Sequence, residues 1–136
     1  MFKITPIQNK EKQQEICLIC GARFIETAFA YQMYDLDSGE LMGMSQFEIS
    51  DIGYIMDLKE APGRSDFEAM FILARQTMNF IDLCGVHSCL AAQDAGNERL
   101  IRAVGFKEEN GRFFCDMTGM FDGHCDGHSD DKYQIC

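Results

Sequence analysis

The stretch Tyr54-Ile55-Met56-Asp57-Leu58-Lys59-Glu60-Ala61-Pro62-Gly63-Arg64-Ser65-Asp66-Phe67-Glu68 decides the fold. Tyr54 to Lys59 reads as a strand, and Pro62-Gly63 stops it. Ser65 with Glu68 three residues later predicts a helix start with a capping box. Phe67, Met70, Phe71, Ala74, Met78 and Ile81 then recur on one helical face, Leu83 stands near the end, and Gly85 terminates the run. Val86-His87-Ser88-Cys89-Leu90-Ala91-Ala92 follows as another strand. Strand, helix and strand form one βαβ unit, whose crossover should be right-handed.

Towards the N-terminus, Phe2 to Ile7 alternates apolar and polar residues like a short edge strand, and Lys10 to Cys20 predicts a helix closed by Gly21. Phe24 to Tyr34 and Leu41 to Ile49 read as strands joined by the polar turn Asp35 to Glu40. With a break at Ser50-Asp51-Ile52-Gly53, they complete an antiparallel meander of three strands. Towards the C-terminus, Asp94 to Val104 predicts a shorter helix with Leu100, Ile101 and Val104 inward, ended by Gly105. Phe106-Lys107 and Arg112 to Met117 then make a hairpin around Asn110-Gly111. The fold class expected is mixed α/β: a mostly antiparallel central sheet flanked by helices, in one domain over residues 1–118. From Gly119 to Cys136 the composition turns to Gly, Asp, His and Ser, which predicts a flexible acidic tail.

Composition narrows the function classes. A chain of 136 residues, 46% of them hydrophobic, can bury a core of its own. A formal net charge of -10 repels nucleic acid and anionic membrane surfaces, and it favours cationic amines over acidic substrates. The apolar-rich stretch Phe67 to Leu83 carries Glu68, Arg75, Asn79 and Asp82, so no membrane span is expected. With no export signal, the expected location is the cytoplasm. The 7 cysteines are odd in number and read as reduced thiols. Cys17-Leu18-Ile19-Cys20 is a CxxC without a second pair and reads as two small buried hydrophobes.

The order of elements resembles the GNAT acetyltransferases over about residues 2–118. Its most specific local match is Leu100-Ile101-Arg102-Ala103-Val104-Gly105-Phe106-Lys107-Glu108-Glu109, a late helix ending in Gly-Phe and a charged pair. The resemblance implies acetyl-coenzyme A as cosubstrate and a small amine or a protein amine as acceptor; a homodimer stays open. It places the acyl-coenzyme A arm against the backbone of Met56 to Lys59, Leu58 above all. The pyrophosphate falls to Gly63, Arg64, Ser65, Asp66 and Phe67. A helix N-terminus offers such an anion free N–H donors and partial positive charge.

The sequence departs from the family pattern at the chemistry. Glu60 begins the loop where Gln or Arg is usual and would repel phosphate, while Ser65 and Asp66 compete for the helix-start donors; Arg64 is the compensating cation. Ile101 stands where many members place a proton-donating tyrosine. Met56 stands where a glutamate base is common, and Asp57 substitutes as proton acceptor only if a bulge re-aims it. Glu48, Tyr54, His87 and Cys89 are further polar groups expected to border the cleft; His87 reads as structural and Cys89 as a buried thiol. These departures also suit a second reading, a module of the same fold that binds an acyl-coenzyme A or a protein without turnover.

Asp122-Gly123-His124-Cys125-Asp126-Gly127-His128 lies outside the resemblance. His124, Cys125 and His128 offer imidazole and thiolate to zinc or another transition metal. The same glycine-rich run also suits a solvated tail that binds nothing, and both readings stand.

Overall fold

The computed structural model describes residues 1–122. In chain order its elements are β1 (Phe2–Pro6), α1 (Lys10–Cys20), β2 (Phe29–Asp35), β3 (Leu41–Ile49) and β4 (Gly53–Glu60), then α2 (Phe67–Leu83), β5 (Ser88–Ala91), α3 (Glu98–Val104), β6 (Lys107–Glu109) and β7 (Arg112–Asp116). The strands form one sheet in the order β1-β2-β3-β4-β5-β7-β6. Every pairing is antiparallel except β4 with β5, the parallel pair that the α2 crossover creates.

Two cores form, one on each face of the sheet. Ile16, Cys17 and Cys20 of α1 pack with Ala30, Met44 and Ala61. On the other face α2 and α3 bury Leu73, Met78, Ile81, Leu100 and Ile101 against Phe47, Ile55, Leu58 and Phe113. Local signals account for most boundaries. Asn9 accepts from the Lys12 amide at 3.0 Å and starts α1; Gly21, at φ 76°, ends it in the left-handed conformation. Asn110 and Gly111, at φ 54° and 79°, make the positive-φ pair that turns β6 into β7.

Several boundaries differ from expectation. β2 starts at Phe29 rather than Phe24, because Gln46 captures the Ile25 N–H and the Arg23 carbonyl that a strand would need for pairing. The α2 cap is Asp66, not Ser65: the Asp66 carboxylate accepts from the Ala69 amide at 3.0 Å, while the Asp66 amide donates to Glu60 Oε2 at 2.7 Å. α3 starts at Glu98 rather than Asp94, capped by Asn97 on the Leu100 amide at 3.2 Å. The packing also continues past Thr118: the Met120 amide bonds the Met117 carbonyl, and Phe121 is only 8% exposed within the α2-side core. Among the described residues no helix is long and apolar enough to cross a membrane.

Candidate functional site

The site follows from how β4 leaves its neighbours. β4 pairs with β5 only at Gly53–Cys89, Tyr54–Leu90 and Ile55–Ala91. On its other side the register with β3 slips between Gln46 and Phe47, so that Met56 is an extra residue on β4. Ile55 and Leu58, three apart, therefore both enter the α2-side core. The bulge turns Asp57 to the α1 face, where Gln46 Nε2 donates to its Oδ2 at 2.8 Å.

Gln46 is fully buried and fully engaged. Its amide nitrogen donates to Asp57 and to the Arg23 carbonyl, both at 2.8 Å. Its oxygen accepts from Gln13 Nε2 and the Ile25 amide, both at 3.0 Å, and from the Cys17 thiol at 3.6 Å. One face of the amide meets acceptors and the other meets donors, which fixes its orientation and that of the carboxylate it holds. Asp57 is 8% exposed. Burial raises its pKa above the ordinary carboxyl value, against the hydrogen bond from Gln46 and the charge of Lys59, which both lower it.

Beyond Ile55 the two strands separate, and residues 92–97 cross the gap. The Ala92 amide donates to the Ile55 carbonyl at 2.9 Å, and the Leu58 amide donates to the Ala95 carbonyl at 2.7 Å. Lys59 Nζ donates to the Asp94 carbonyl at 2.6 Å, and Gln93 Nε2 contacts the Gly111 carbonyl. Gly96 lies so close that a Cβ on it would stand 2.4 Å from the Leu58 carbonyl oxygen. The Leu58 N–H, assigned by the resemblance to the acyl arm, is thus paired within the protein.

Outside this crossing lies a cleft of about 390 Å³, lined by Leu58, Lys59 and Glu60 of β4, by Ser65, Phe67 and Met70 at the start of α2, and by Gly96, Asn97, Arg99 and Leu100 at the start of α3. The Arg99 guanidinium sits 4.2 Å from the Phe67 ring centroid. Asp66 takes the Ala69 amide, so the first-turn amides of Phe67 and Glu68 are the ones left without an intrahelical carbonyl. The cleft therefore gathers two cations, one helix N-terminus and the carboxylate of Glu60.

The candidate residues divide accordingly. Leu58, Ser65 and Phe67 line the cleft, whereas Gly63, Arg64 and Asp66 stand outside its lining. Gly63 makes the turn before α2 at φ 81°. Arg64 turns away, its guanidinium bonding Asp35 at 3.3 Å and Glu40 at 3.1 Å in the β2–β3 turn. Ile101 is fully buried in the core. His87 is half exposed and bonds Asp82 at 2.5 Å. Cys89 is buried, and burial drives its thiol pKa far above the ordinary value; burial likewise lifts Cys17 and Cys20 to about 11. None of the three is poised as a thiolate. Among the described residues no group of His, Cys, Asp and Glu could hold a metal ion. His124, Cys125 and His128 lie outside the described residues.

On the opposite side of β4 a trough of about 520 Å³ is lined by Thr27, Phe29, Glu48, Tyr54, Leu90 and Arg112, among others. Glu48 and Tyr54 face each other across the β3–β4 pair, and Thr27 Oγ1 donates to Glu48 at 3.1 Å. Sequence reasoning missed Gln46, Arg99 and the crossing of residues 92–97. The one signal for Gln46 is a lone amide in the apolar run Met42 to Phe47.

No family model matches the sequence, and no curated protein matches it. Solved structures do match the fold. An IAA acetyltransferase from Bacillus cereus superposes with a TM-score of 0.68 at 15% identity, covering 85% of this chain and 99% of that one. An acetyltransferase from Bacillus subtilis in complex with CoA gives 0.65 at 12%, covering 85% and 99%. An N-acetyltransferase from Thermoplasma acidophilum in complex with coenzyme A gives 0.61 at 10%, covering 84% and 96%. The architecture is that of the GNAT N-acetyltransferases.

Proposed function

We propose that the chain is an acyltransferase that takes an acetyl group from acetyl-coenzyme A and delivers it to an amine. The observation that carries this reading is the cleft at the parting of β4 and β5, where the α2 N-terminus, Lys59 and Arg99 converge in a fold shared with structures that hold coenzyme A. The phosphate end fits these residues: the Phe67 and Glu68 amides donate, and Arg99 and Lys59 supply positive charge near them. Glu60 opposes the anion and weakens the site. The amine approaches from the trough beside Tyr54 and Glu48, across β4 from the cleft.

Fixing an amine against a thioester supplies much of the rate by proximity alone. Asp57 is the proton acceptor in this scheme. The bulge at Met56 carries it to the same face as the trough, and Gln46 holds it in one orientation. Its raised pKa makes it a better base than a solvated carboxylate. With Ile101 in the core, the departing thiolate takes its proton from solvent.

A second reading, binding of an acyl-coenzyme A without turnover, is favoured by the same Ile101, which is buried and has no proton to give the departing thiolate. Two measurements separate them. Calorimetric titration with acetyl-coenzyme A detects binding, and release of free thiol in the presence of diamines and lysine peptides detects transfer. Binding with amine-dependent thiol release supports the transferase; binding with no release across the panel supports the module. No binding by a folded protein removes both.

A further inference from the structure

We propose that residues 93–96 are an autoinhibitory strap, laid over the stretch of β4 that the arm of acyl-coenzyme A would occupy; the proposal rests on the acyl-coenzyme A reading. The Leu58 N–H points into the gap between β4 and β5 and is satisfied by the Ala95 carbonyl at 2.7 Å. An amide hydrogen has room for one short acceptor, so an arm carbonyl and Ala95 exclude each other there. Gly96 allows the close seat, since any side chain would meet the Leu58 carbonyl oxygen at 2.4 Å. Lys59 ties the strap down through the Asp94 carbonyl at 2.6 Å.

The strap is separable from the elements that flank it. α3 carries its own cap at Asn97, so its first turn is satisfied without residues 93–96. Upstream, β5 ends at Ala91 and the Ala92 amide holds that end to Ile55. Residues 93–96 can therefore lift while both ends stay fixed, at the cost of uncovering Ala95, which is fully buried in the α2-side core. Ligand affinity is then reduced by the fraction of molecules in which the strap is up. Asp57 and the trough lie on the other face of β4.

The test uses the full chain, with the substitution Gly96→Ala to unseat the strap. Amide hydrogen exchange at Leu58 reports whether the strap is down. Calorimetry with acetyl-coenzyme A, and with its 3′-phosphoadenosine diphosphate head group alone, reports the site with and without the arm. The expected result is faster exchange at Leu58 and about tenfold tighter acetyl-coenzyme A binding, the worth of one internal hydrogen bond, with head-group affinity unchanged. Faster exchange with acetyl-coenzyme A affinity equal or weaker, and head-group binding kept, overturns the strap alone. Failure of both folded proteins to bind either ligand overturns the acyl-coenzyme A reading, and the strap with it. If Gly96→Ala does not fold, Lys59→Met cuts the tie to Asp94. The ratio of acetyl-coenzyme A to head-group affinity should then rise about threefold, and an unchanged ratio overturns the proposal.

Discussion

Burial strips water from the Asp57 carboxyl and favours its protonated form, while Gln46, Lys59 and Arg23 favour the ionised one; burial wins. The consequence for stability has a definite sign. A carboxyl whose folded pKa lies above its unfolded value of about 3.9 stabilises the fold only while protonated. That contribution is lost as pH rises through the unfolded value towards the folded one. Asp57→Asn keeps an acceptor for Gln46 and removes the charge. It should therefore raise stability at pH 7 relative to wild type, by about 1.4 kcal/mol for every tenfold difference in proton affinity between the two states. The gain should shrink towards zero in unfolding experiments below about pH 3.9. If Asp57 is the base, the same variant loses acetyl transfer while gaining stability. Gln46→Leu has the opposite character: it leaves Gln13, the Ile25 amide and the Arg23 carbonyl without their buried partner and should cost about 3 kcal/mol in chemical denaturation.

At the scale of the element, the start of α2 carries competing demands. Asp66 caps the helix by taking the Ala69 amide, and its charge and that of Glu60 occupy the positive end of the helix dipole. Asp66→Ala should cost about 1 kcal/mol of stability, as loss of a cap does, whereas Ser65→Ala should change it by less than about 0.5 kcal/mol. Glu60→Gln keeps an acceptor for the Asp66 amide while removing a negative charge from the cleft. It should tighten acetyl-coenzyme A binding about threefold at low salt, with the gain fading as salt is added. The helices, β3 and the turn at Asn110-Gly111 were legible because each rests on a local signal: apolar periodicity, a capping residue, a positive-φ pair. The start of β2 was not, because a side chain from β3 decides it. The bulge at Met56 and the strap were hidden for the same reason. Both are settled by what β4 meets on its two sides, and nothing within Ile55 to Leu58 or Gln93 to Asn97 announces the meeting.

Across the whole molecule, the face of the sheet that α2 and α3 cover carries its packing to the last described turn. Phe121 closes that core beside Phe106, Cys115 and Met117, all buried. The change of composition at Gly119 marked a real shift towards Gly, Asp and His but fell before two apolar residues, Met120 and Phe121, that the core uses. Shortened chains separate packing from composition. A chain ending at Asp122 keeps every buried residue of this face among the described residues and should match the full chain in urea unfolding and in acetyl-coenzyme A affinity. One ending at Thr118 loses Phe121 and should be less stable by about 2–3 kcal/mol, roughly the worth of burying a phenylalanine side chain. The same pair tests the tail. If His124, Cys125 and His128 hold zinc, the full chain alone should melt at a higher temperature with the metal, by mass action, and the chain ending at Asp122 should not respond. An equal response in both would place the zinc on the folded body, where the described residues offer no cluster of ligands for it.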